Sequence, residues 1–187
     1  MDSLISNFWG YLHLYQSKMP RIIICGIVIE LLFLLIQKMG YLKYKNKSFL
    51  TSFCGLLLSV SIAWVINVTI LGRTPEIEFA FRFQPFGSYI EAVREENVEV
   101  LLQIIMNVVM FVPIGLFLPC CFEKFEKNKV LFVTMLACSG GIELIQGVMK
   151  IGMCELDDVL GNVIGAEVGF LIWWGSRYSE RRKMERL

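Results

Sequence analysis

Five long apolar runs, at 20–36, 49–71, 100–122, 130–149 and 159–175, alternate with short polar connections. Each is close to the ~17 to 25 residues that a helix needs to cross a ~30 Å hydrocarbon layer. Lipid offers no partner to a free backbone N–H or C=O, so such runs are stable as helices. The pattern predicts an all-α integral membrane bundle of about five transmembrane helices. The stretch 3–15, with Phe8, Trp9, Tyr11 and Tyr15, is too short to span and reads as a segment lying at headgroup level. Residues 1–19 thus form an interfacial N-terminal segment, 20–175 the transmembrane domain and 176–187 a basic cytoplasmic tail. A basic stretch, apolar core and small-residue cleavage site are missing from the first segment, so a removable signal peptide is not expected.

Composition agrees. Hydrophobic residues make up 56% of the 187, mean hydropathy is +0.60, and only 19% are charged, against about 25% in a soluble domain. A water-soluble globular domain and a disordered chain are both excluded. With 18 Lys+Arg against 17 Asp+Glu the net charge is +1, which gives no general attraction for nucleic acid.

The placement of the charges sets the orientation, because basic residues resist translocation. Twelve lie on one side, including Lys43, Lys45, Lys47, Lys124, Lys127, Lys129 and those from Arg177 onward. Six lie on the other side, Lys18, Arg21, Arg73, Arg82, Arg94 and Lys150, beside most of the loop carboxylates. The N-terminus is therefore expected outside and the C-terminus inside, in a multi-pass protein of the cell membrane. The long acidic connection 72–99 then faces outward. Its alternation Phe79, Phe81, Phe83 predicts an extended piece at the membrane surface. Ser88 and Glu91 have the spacing of a capping box that starts a helix near Tyr89, running on into the third span.

Polar groups inside the spans are costly, at ~2.5 to 3.5 kcal/mol for a charge at the centre of a helix, and usually face a cavity or a partner. Here they fall at one depth. Gln103 and Asn107 lie near the outer start of the third span, Glu143 and Gln146 near the outer end of the fourth, and Asp158 and Asn162 at the outer start of the fifth. Asn67 and Arg73 end the second. Two readings follow: a shared outward-facing polar pocket, or groups that merely bond one another between helices, at ~0.6 kcal/mol each. Gly161, Gly165 and Gly169 form overlapping G-x-x-x-G units that permit close helix approach. Gly140 and Gly141 are expected to act likewise beneath Glu143. Pro113 removes one rung of the third helix. Glu30 and Glu167 lie deeper, away from this group. Five of the six cysteines fall within spans, none in a C-x-x-C pair, so no disulfide framework is indicated.

Leu71-Gly72-Arg73, Gln84-Pro85-Phe86, Asn107 through Pro113-Ile114-Gly115, Glu143-Leu144-Ile145-Gln146 and Asp157-Asp158-Val159-Leu160-Gly161-Asn162 with Gly165 resemble, in order and spacing, the motifs of the VanZ-like family of bacterial membrane proteins. The likeness covers 71–174. It implies a role in the cell envelope related to teicoplanin resistance, with Arg73, Asn107, Glu143, Gln146, Asp157, Asp158 and Asn162 at motif positions and no established catalytic chemistry. Glu155 stands where the family often has an aspartate.

Catalytic signatures are mostly absent. His13 is the single histidine and lies outside the bundle, and there is no Walker A or G-x-S-x-G motif. No cofactor or metal site is expected. The leading expectation is a binding protein whose site comprises Arg73, Arg82, Asn107, Glu143, Gln146, Asp157, Asp158 and Asn162. Its partners are the lipid bilayer and a cell-wall precursor, an envelope lipid or a glycopeptide. Arg73 and Arg82 suit a phosphate or carboxylate. The alternatives are a membrane enzyme with Glu143 or Asp158 as acid or base, and a small transporter using Glu30 and Glu167.

Overall fold

The computed structural model describes residues 19–38, 49–75, 81–82 and 84–184. The interfacial segment expected at 1–19 lies almost wholly outside them, as do Phe79 and Phe83. The bundle is all-α: α1 (Met19–Lys38), α2 (Phe49–Ile66) continued by a π-helical turn (Asn67–Leu71), α3 (Gly87–Arg94), α4 (Val98–Cys121), α5 (Asn128–Met149) and α6 (Leu156–Met184). Among the described residues four helices, α2, α4, α5 and α6, are long and apolar enough to cross a membrane. The apolar stretch of α1, Ile22–Leu35, is shorter. The last helix runs on past residue 175 to Met184, so the basic residues from Arg177 to Lys183 stand on a helical extension.

The bundle is organised around α4, which packs most intimately on α6 and also on α2 and α3, while α1 lies outside on α2. Leu58, Met110, Phe111, Ile114, Leu131, Val163, Ala166 and Phe170 form its buried centre. The α4–α6 seam is built from glycine. A Cβ at Gly165 would collide with the carbonyl of Val108, and one at Gly169 with that of Val112. The G-x-x-x-G spacing thus brings two backbones into contact. Gly115 does the same from the α4 side, against Ala166. Gly140 and Gly141 do not: nothing described lies within 4 Å of a Cβ built on either, so the expected close approach beneath Glu143 is absent.

Between α2 and α4 the chain differs from the sequence expectation in two ways. Extended backbone occurs at Phe81–Arg82, but as a strand, β1, paired in parallel with β2 (Cys154–Glu155). α3 is a separate helix: it stops at Glu95, the chain turns through Glu96 at φ 49°, and α4 starts afresh at Val98. Asn97 caps that start, accepting from the amides of Glu99 at 3.1 Å and Val100 at 3.3 Å. Deeper in the bundle, the Ser59 hydroxyl of α2 donates to Oε2 of Glu30 on α1 at 2.6 Å.

Candidate functional site

The end of α2, the start of α4, the end of α5 and the start of α6 lie at one end of the bundle. The π turn at Asn67–Leu71 closes with the Gly72 amide on the Asn67 carbonyl at 2.6 Å. Such turns fit one extra residue and recur at functional sites. The last carbonyls of a helix have no partner within it. Gln146, only 1% exposed, supplies one by donating its Nε2 to the Thr69 carbonyl at 2.9 Å.

Glu143 lies one turn before Gln146. Its buried carboxylate accepts the backbone amide of Glu155 at 2.9 Å, fixing the α5–α6 connection. One turn earlier, the Ser139 hydroxyl accepts from Nδ2 of Asn162 at 2.8 Å. Asp158, one turn before Asn162, is faced by Gln103 of α4. The charge of Arg73 acts on both Glu143 and Asp158. Gly152 makes room for that arginine, because a Cβ there would collide with Nη1 of Arg73. Asn107 packs on the α6 backbone, its Cβ 3.4 Å from where Gly161 would carry one. Arg73, Asn107, Glu143, Gln146, Asp158 and Asn162 thus gather at one level of one end of the bundle.

Asp157 is placed differently. Its carboxylate accepts the amides of Phe86 at 2.6 Å and Ser88 at 2.8 Å, capping the start of α3 from a distant part of the chain. Phe86 occupies the cap position at φ 63°, a left-handed conformation uncommon for a residue with a side chain. Ser88 does not form the expected capping box. Its hydroxyl donates to Oε2 of Glu155 at 2.8 Å, while Glu91 pairs with Arg82 at 2.8 Å. Asp157 and Glu155 therefore clamp the 86–88 loop to α6. Arg82 lies beside that clamp, within the field of Glu155 and Asp157, and its bond to Glu91 raises the guanidinium pKa further above its ordinary value.

Several buried polar atoms in and around the cluster meet no partner among the described residues: both amide atoms of Asn67, Nδ2 of Asn107, Oε1 of Gln146 and Oδ1 of Asn162. In protein interiors roughly 90% or more of such groups are bonded. The cluster therefore combines unspent donors and acceptors with one arginine and two carboxylates, a set suited to holding a polar, charged group. Nearby, burial and the charge of Glu143 raise the Cys154 thiol above its usual pKa. Among the described residues no group of three or more His, Cys, Asp and Glu side chains is arranged to hold a metal ion.

A family model described as VanZ/LLP1 matches residues 49–177, from the start of α2 into the extension of α6. The chain belongs to the VanZ/LLP1 family. It is also similar to "Protein VanZ" of Enterococcus faecium, at 29% identity over 87 residues, 46% of this chain and 53% of that protein. The chain thus spans about half the length of that curated relative. No solved structure matches it.

The VanZ/LLP1 match contains the whole cluster and leaves out α1 entirely, with Glu30. Sequence reasoning missed Thr69, Ser139 and Ser88 as partners. Thr69 and Ser139 are small hydroxyl residues whose own pattern carries little signal, although Ser139 lies one turn from Glu143 on the polar face of α5, whereas the signal at Ser88 is that of a capping box and not of its bond to Glu155. Asn67 was legible as a polar residue at the right depth, but its complete burial in a π turn was not.

Proposed function

We propose that this membrane protein of the VanZ/LLP1 family binds a polar headgroup, of an envelope lipid, a cell-wall precursor or a glycopeptide, in the cluster around Arg73, Glu143 and Asp158. By this reading the cluster faces outward across the cell membrane and the protein contributes to teicoplanin-type tolerance. The observation that carries the proposal is the unspent hydrogen-bonding capacity of Asn67, Asn107, Gln146 and Asn162 around a guanidinium set beside two carboxylates. Such groups are costly to bury unless something pairs with them. The charge asymmetry of the loops supports the orientation, and the family supports the envelope role.

The test is drug susceptibility of cells with and without the protein, combined with analysis of their envelope lipids and precursors. Wild type raises teicoplanin tolerance, and Asp158→Asn, still present in the membrane, abolishes the effect with lipid and precursor composition unchanged. A modified lipid or precursor that disappears in Asp158→Asn replaces binding with catalysis. On intact cells a membrane-impermeant thiol reagent labels Glu95→Cys and spares Lys127→Cys in a background without other cysteines; the reverse overturns the orientation.

A further inference from the structure

A second site, separate from the Arg73 cluster, lies on the outer side of α3. Arg82, Gln84, Ile90, Glu91, Arg94 and Glu95 border a recess of about 280 Å³. That is slightly below the ~300 to 1,000 Å³ of pockets that enclose drug-sized ligands, and suits a compact headgroup. Its charge is balanced twice over. Arg82 and Glu91 neutralise each other at 2.8 Å, and among the described residues Arg94 and Glu95 form no ion pair, leaving one cation and one anion available side by side. Both are exposed and border the recess, so a singly charged ligand that pairs with one meets the like charge of the other, whereas a ligand carrying both signs pairs with each.

Beside the recess, Phe86, Ile90 and Val93 follow each other at four- and three-residue spacing, exposed to 59%, 45% and 80%. Ser88 and Ala92, on the other side of α3, are buried against the bundle. α3 is therefore amphipathic with its apolar stripe turned away from the protein. The stripe is followed along the chain by the exposed apolar row Leu101, Ile105 and Val109 of α4, a helix long and apolar enough to cross the membrane. A bilayer is the occupant that suits both surfaces, and a helix of this kind lies in the boundary between headgroups and acyl chains.

We propose that α3 is seated in the bilayer interface on Phe86, Ile90 and Val93, and that the adjoining recess binds the zwitterionic headgroup of a phospholipid, phosphate toward Arg94 and amine toward Glu95. The acyl chains of the bound lipid then run along the stripe. The site holds a lipid against α3, whose 86–88 loop Asp157 and Glu155 clamp to α6.

The experiment titrates the full-length protein in detergent with dihexanoyl phosphatidylethanolamine, dihexanoyl phosphatidylglycerol and O-phosphoethanolamine, read by native mass spectrometry. The phosphatidylethanolamine is expected to bind about tenfold more tightly than the phosphatidylglycerol, the equivalent of one additional charge-assisted bond. R94Q/E95Q, changed at two exposed positions, removes that preference while its unfolding temperature stays at the wild-type value. D158N leaves the preference intact, which separates this site from the Arg73 cluster. Equal affinity for the two lipids, or an unaltered preference in R94Q/E95Q, overturns the proposal. Binding of O-phosphoethanolamine as tight as that of the lipid overturns the membrane source of the ligand.

Discussion

Gln146 of α5 donates its side-chain amide to the backbone carbonyl of Thr69 at 2.9 Å, across 77 residues of sequence. The bond joins the end of α5 to the π turn that closes α2. Gln146→Leu leaves a buried carbonyl without its partner, which costs about 1 to 3 kcal/mol. Thermal unfolding in detergent is expected to fall accordingly, and hydrogen exchange at 67–72 to rise more than elsewhere.

Asp157 accepts two backbone amides from the 86–88 loop and is the larger half of the clamp. Asp157→Ala frees both, at a cost of roughly 2 to 4 kcal/mol for charge-assisted bonds. Exchange at Phe86 and Ser88 then accelerates strongly. Ser88→Ala removes the single contact to Glu155 and produces a smaller effect, so the ratio of the two measures the share held by Asp157.

The spans were legible because lipid imposes one rule on every residue of a run, and α2, α4 and α5 fall close to the limits that the apolar pattern predicts. The level of Asn107, Glu143, Gln146 and Asn162 was legible for the same reason: rise per residue converts sequence position into depth. The roles of Asp157 and Ser88 were not, because their partners are 67 to 71 residues away and nothing local distinguishes an aspartate that caps its own helix from one that caps another. The local signal at Ser88 and Glu91 pointed to a capping box, and tertiary acceptors displaced it. The glycines divide on the same ground. The G-x-x-x-G repeat on α6 implies a close partner, whereas the adjacent pair Gly140 and Gly141 implies only a missing side chain.

The backbone contact between α4 and α6 leaves no room for a side chain at Gly165. Gly165→Val drives a branched side chain into the Val108 carbonyl and separates the helices that hold Asn107 and Asn162. Overpacking typically costs about 1 to 3 kcal/mol, and more where backbone must move. Loss of folded protein on gel filtration is expected, whereas Gly140→Ala leaves it unchanged.

Cys154 reports on Glu143. Its thiol pKa is raised by burial first and by the Glu143 carboxylate second, so little thiolate is present near neutral pH. Glu143→Gln removes the charge, lowers the thiol pKa toward its ordinary value and speeds alkylation of Cys154 a few-fold at fixed pH. The rates of both proteins rise with pH, that of Glu143→Gln at lower pH. Coincident pH profiles contradict a charged Glu143 beside Cys154.

Analysis of the molecules that accompany the protein out of its native membrane tests the binding role of the cluster most directly. Wild type and Arg73→Gln are extracted in mild detergent under identical conditions, and bound small molecules are identified by mass spectrometry. A phosphate- or carboxylate-bearing amphiphile or glycopeptide that accompanies wild type and is lost from a folded Arg73→Gln supports a ligand site around Arg73, Glu143 and Asp158. Identical molecules in identical amounts from both proteins contradict it.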